Sequence, residues 1–163
     1  MDKSQTRAVI FDCDGVLVDS EPLVNRLEAN LVSQLGIPCT PAEARHRFKG
    51  KTVAGVAQAL EAELGRPLSG DWVYDWGMAT ALGFVRELRP IEGVEAVVRE
   101  LHAQRLPIAV ASQSPPARVA LSLRICGLDQ LFGQHVYTAS MVARPKPAPD
   151  LFQRAAASLG VSP

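Results

Sequence analysis

At 163 residues the chain has room for one ordinary domain, or for a modest core that carries an insertion. A hydrophobic content of 47% against 21% charged residues excludes a disordered chain. Lys plus Arg and Asp plus Glu number 17 each, so no net field draws the protein to nucleic acid or to an anionic membrane. The three cysteines, Cys13, Cys39 and Cys126, are odd in number, widely spaced and without a C-x-x-C pair, which favours reduced thiols. No apolar run approaches the roughly 18 residues of a membrane span, and no basic-then-apolar leader precedes the first strand. The expectation is a cytoplasmic protein.

Arg7 to Phe11 reads as a short buried strand that runs into Asp12-Cys13-Asp14-Gly15. Paired acids at a tight turn after a strand point into the crevice above a sheet, where α/β proteins bind ligands. One carboxylate can attack while its neighbour handles a proton, and a cation can screen the pair. Alone, D-x-D-G equally fits a calcium loop or an ordinary turn. A helical region follows: Leu23, Leu27, Leu31 and Leu35 recur every four residues, with Pro22 in the first turn and Gly36 as the stop. Thr40-Pro41-Ala42-Glu43 is a capping-box signature for a second helix ending near Gly50. A third is expected from about Thr52 to Gly65, and a fourth from Asp71 to Leu88 with Trp72 and Trp76 on one buried face.

Beyond Pro90, Val94, Val97, Val98 and Leu101 mark another amphipathic helix, and Ile108 to Ala111 a buried strand. Ser114-Pro115-Pro116 opens a helix that ends near Gly127. A short strand is expected around His135 to Thr138 and a last helix from Pro149 to Leu159. Strands separated by helices imply a parallel α/β sheet. Residues 1–16 and 89–163 would form this core, with 17–88 an inserted helical cap. Three polar groups then meet at strand tips: Asp12 and Asp14, Ser112 at the end of Ala111-Ser112-Gln113-Ser114, and Lys146 in the loop after the third strand. A carboxylate nucleophile, a hydroxyl and a lysine make a coherent site for the roughly −1.5 to −2 charge of a phosphomonoester.

In these segments the chain resembles the haloacid dehalogenase-like hydrolases, in particular their β-phosphoglucomutase-like, small-molecule phosphatase branch. Asp12-Cys13-Asp14-Gly15-Val16-Leu17-Val18-Asp19-Ser20 is similar to that family's first motif, Ser112 to the second, and Lys146 in Lys-Pro-Ala-Pro-Asp to the third. The resemblance implies a Rossmann-like sheet with an all-helical cap, and Mg²⁺-dependent hydrolysis of a small phosphorylated metabolite, a sugar or polyol phosphate. It implies that Asp12 attacks phosphorus, Asp14 acts as acid and base, and Ser112 and Lys146 hold the phosphoryl oxygens. Mg²⁺ would bind the Asp12 carboxylate and the Asp14 backbone carbonyl.

Arg47, Lys49 and Lys51 cluster where the second helix ends. They read either as a solvated helix terminus or, by resemblance, as a substrate loop in which Lys49 contacts the ligand. Val24 stands where the mutases of this branch carry histidine, which favours a phosphatase over the phosphomutase alternative. The family's fourth motif, an acidic strand end, is not present, and Leu159-Gly160-Val161-Ser162-Pro163 leads up to its place. The expectation is a C-terminally truncated piece of a longer phosphatase, with an incomplete sheet, weak Mg²⁺ binding and little turnover of its own. The strand carrying Asp12 would then be an open edge prone to self-association. A non-catalytic phosphate-binding or interaction fragment is the remaining alternative.

Overall fold

Three short runs rich in β-branched and aromatic residues form the sheet: β1 (Val9–Phe11), β2 (Ile108–Ser112) and β3 (Val136–Thr138). They are parallel in the order β1-β2-β3, with Phe11 opposite Val110 and Ser112 opposite Thr138. The computed structural model describes residues 7–162. All five residues of β2 are buried, as expected of a strand covered on both faces and paired on both sides. β1 has β2 as its neighbour and, among the described residues, no strand on its other side.

The chain divides into two units, one ending at Ser20 and resuming at Leu88, the other Glu21–Glu87. The helical unit holds α1 (Glu21–Gln34), α2 (Pro41–Phe48), α3 (Val53–Leu64) and α4 (Trp72–Glu87). Its core joins Ala29 and Val32 of α1 to Phe48, Val56, Leu60, Trp72 and Trp76. The two indoles meet edge-on with centroids 4.9 Å apart. The expected capping box is formed: the Glu43 N–H donates to Thr40 Oγ1 at 3.2 Å, and the Thr40 N–H donates to Glu43 Oε2 at 2.7 Å. Thr40→Ala is expected to lower the unfolding free energy by about 1 kcal/mol, readable as a shift in the urea midpoint. An unchanged midpoint would show that the box carries no stability.

The α/β unit adds α5 (Val94–Ala103), α6 (Pro116–Ile125), α7 (Asp129–Phe132) and α8 (Asp150–Ser158). Several expectations need correction. The first strand starts at Val9 and not at Arg7, and the third at Val136 and not at His135. The single-turn helix α7 and a 3-10 turn at Ala139–Met141 were not anticipated. On α5, Val94 and Val98 are buried but Val97 is exposed. The boundary after the acid pair falls after Ser20 and not after Val16. Leu17 and Val18 are fully buried, the Asp19 N–H donates to the Arg89 carbonyl, and the Ile91 N–H donates to the Leu17 carbonyl. These contacts fasten 17–20 to the α/β unit. No helix among the described residues is long and apolar enough to cross a membrane.

Candidate active site

The turn after β1 is wound around one carbonyl. The Cys13 oxygen accepts N–H groups from Val16, Leu17 and Val18, and the Gly15 N–H donates to the Val18 carbonyl at 2.9 Å. Gly15 sits at φ +73°, a left-handed conformation that a side chain would disfavour. Buried Leu17 and Val18 anchor the loop from below, which leaves Asp12 and Asp14 at the carboxyl edge of the sheet. Asp12 Oδ1 accepts the Cys13 N–H at 2.7 Å, and Oδ2 lies 3.0 Å from Lys146 Nζ. The Lys146 side chain is only 16% exposed against 43% for Asp12, so the ammonium is committed to the site while the carboxylate stays reachable. The ammonium also lies 5.0 Å over the Phe152 ring. Gln113 Nε2 donates to the Lys146 carbonyl at 3.0 Å and ties the lysine loop to the end of β2.

Asp14 is held by three donors. Ser20 Oγ and Arg118 Nη2 reach Oδ1 at 2.6 and 3.0 Å, and Ser114 Oγ reaches Oδ2 at 2.6 Å. Burial alone would push this carboxyl upward. The Arg118 charge and the bonds from Ser114, Ser20 and Arg118 outweigh it, so Asp14 lies below the usual carboxylate range and is ionised at neutral pH. Ser112 is fully buried at the end of β2, its Oγ accepting the Ser114 N–H at 3.1 Å. The structure thus joins Asp12 to Lys146 directly and sets Ser112 on the same sheet edge. The three partners of Asp14 were not singled out from sequence. Ser20 counted only as the end of a motif and Ser114 as a helix opener. Arg118 lies in the first turn of α6 and carried no local signal of its contact with Asp14.

Lys49 is exposed at the C-terminal cap of α2, in the helical unit. Its neighbour Arg47 is engaged by Glu63 and lies over the Phe48 ring. Cys13, between the acids, is 1% exposed, and burial, then the charges of Asp14 and Asp12, push its thiol up to about 12. It acts as a small apolar filler. In the folded protein at mildly alkaline pH, iodoacetamide is expected to modify half-buried Cys39 well before Cys13, as read by peptide mass mapping. Equal rates would contradict a sealed turn.

A hard divalent cation takes oxygen donors and keeps several waters. Among the described residues no group of three His, Cys, Asp or Glu side chains is placed to hold a metal. Two oxygens of the turn do suit such an ion. One is the half-exposed Asp12 carboxylate. The other is the Asp14 carbonyl, which accepts no backbone N–H of the described residues, while the Cys13 carbonyl beside it accepts three. The donor chemistry of these two oxygens fits magnesium, which they would help to hold.

The model of the haloacid dehalogenase-like hydrolases matches residues 6–163. The 6-phosphogluconate phosphatase of Escherichia coli K12 is 31% identical over 162 residues, covering 98% of this chain and 71% of that protein. Hexitol phosphatase B of the same strain is 31% identical over 163 residues, with 98% and 72% covered. A family hydrolase from Deinococcus radiodurans R1, solved with bound phosphate and sodium, superposes with a TM-score of 0.77 at 33% identity, covering 95% of this chain and 68% of that one. The fold, the strand-tip motifs and these likenesses agree, and the chain belongs to the haloacid dehalogenase-like hydrolase family.

Proposed function

We propose that the protein is a magnesium-dependent phosphatase of small phosphomonoesters, sugar or polyol phosphates, acting through an aspartyl-phosphate on Asp12. The observation that carries this reading is the 3.0 Å approach of Lys146 Nζ to Asp12 Oδ2, with Asp14 on the same turn. Asp12 Oδ attacks phosphorus and the ester P–O bond breaks, the leaving alkoxide taking a proton from the acid form of Asp14. Water then attacks the aspartyl-phosphate and gives its proton to the Asp14 carboxylate. The P–O bond to Asp12 breaks, releasing phosphate and restoring both acids. Ser112 and Lys146 hold the phosphoryl oxygens, so catalysis is positioning and charge stabilisation. The Asp12 carboxylate and the Asp14 carbonyl would hold a magnesium ion, which would supply positive charge against the phosphoryl oxygens.

The donor set on Asp14 suits the second step, which needs a base. The first step needs a proton on Asp14, and a hydroxyl of Ser20 or Ser114 can turn to accept from that acid form while the group keeps its orientation. The substrate class is supported by the sugar and polyol phosphatases among the relatives, and binding of phosphate and of a cation by the Deinococcus hydrolase, solved with bound phosphate and sodium. A reducing, cytoplasmic setting is favoured by three unpaired cysteines.

Chelation of divalent cations is expected to abolish phosphate release from an aryl phosphate by the full-length protein, and added magnesium to restore it. Release that is indifferent to chelation would contradict the reading. Lys49 is proposed as a substrate-binding residue: Lys49→Ala is expected to raise KM for the preferred sugar phosphate while kcat stays within about threefold. An unchanged KM across a sugar phosphate panel would remove Lys49 from the site.

A further inference from the structure

Arg118 reaches the acid–base residue across 104 positions of chain. The two side chains are 31% and 27% exposed. A fully exposed ion pair would contribute little, but this one is two-thirds covered and shares its carboxylate with two hydroxyl donors at 2.6 Å. Ser114 sits in the bend just before α6, and Arg118 in the first turn of that helix. Pro115 caps α6, Pro116 opens it, and the Arg118 N–H donates to the Pro115 carbonyl at 3.0 Å. The Ser114 N–H is fastened to Ser112 Oγ at the end of β2. A carboxyl group's terminal torsion is otherwise soft. Here one oxygen is gripped by Arg118 and Ser20 and the other by Ser114, so the plane of the group is set.

We propose that Arg118 is a positioning residue for the phosphatase reaction, fixing the orientation of the Asp14 carboxyl from the first turn of α6. This rests on the reading of Asp14 as the acid–base group. A fork-shaped guanidinium constrains a carboxylate's direction in a way a flexible point charge does not. Its removal therefore costs proton transfer and not substrate binding.

The test is a double-mutant cycle in the full-length protein, with phosphate release from a sugar phosphate as readout. Arg118→Ala is expected to lower kcat about 10–100-fold, part of what positioned proton transfer supplies, with KM within about threefold. The loss should be smaller on an aryl phosphate, whose leaving group needs less protonation. Arg118→Lys should recover part of kcat. In an Asp14→Asn background, Arg118→Ala should add no more than about twofold.

Losses that multiply in the double variant would overturn the proposal, as would a raised KM at unchanged kcat, which would make Arg118 a substrate ligand. Urea midpoints of the same four proteins give a readout independent of turnover. A double variant no less stable than the weaker single one supports the pair, and additive shifts overturn it. Metal-dependent release lost in Asp12→Asn tests the phosphatase reading separately. If the wild type released no phosphate, that reading and the catalytic role of Arg118 would fall together, whatever the urea cycle showed of the pair.

Discussion

Asp12→Asn is expected to lower kcat for phosphomonoester hydrolysis by about 10⁴-fold or more, the scale seen when a covalent nucleophile is removed. The substitution is close to isosteric. An amide oxygen can still accept the Cys13 N–H that now meets Oδ1 at 2.7 Å, so the turn keeps its shape. What disappears is the negative charge 3.0 Å from the Lys146 ammonium, and with it the proposed nucleophile. Folding and phosphate binding should survive while chemistry stops. Steady-state kinetics beside a circular dichroism spectrum separate these effects. Activity within about tenfold of the wild type would dismiss Asp12 as nucleophile.

Lys146→Ala carries the second large effect. The ammonium is mostly buried, lies on the Asp12 carboxylate and packs over Phe152. Cutting it back removes a preorganised positive charge where phosphoryl charge would gather in the proposed reaction. Deleting one such group typically costs about 10²–10³-fold in kcat. It also leaves the Asp12 carboxylate without its lysine, so the reactive approach of an anionic substrate becomes harder. Lys146→Met keeps the apolar stem and the contact with Phe152. It should match the alanine variant in activity, showing that the charge and not the packing is what acts. An active methionine variant would reverse that conclusion.

The acids and the serine were legible because each belongs to a short run at a strand end, the lysine because its run lies in the loop that follows a strand, and a parallel sheet gathers such ends on one edge. The register of Phe11 with Val110 delivers that gathering. Thr40 and Glu43 were legible for a similar reason, since a capping box is complete within four residues. The contact of Arg118 with Asp14 was not, because no local pattern announces a partner 104 residues away. The helix α7 has four residues, one turn, too few for any periodicity to emerge. Leu17 and Val18 show why the boundary after the acid pair was misplaced. Their apolar character says that they are buried but not in which unit, and the backbone bonds to Arg89 and Ile91 decide it. Trp72 and Trp76, by contrast, have their core role in their four-residue spacing, and the structure puts them there.

Rapid acid quench of the full-length enzyme during turnover, followed by peptide mass mapping, tests the aspartyl-phosphate most directly. One phosphoryl group is predicted on the peptide that contains Asp12, labile to hydroxylamine and missing from Asp12→Asn. Turnover with no phosphorylated enzyme at any quench time, or with the group on another residue, would contradict the account.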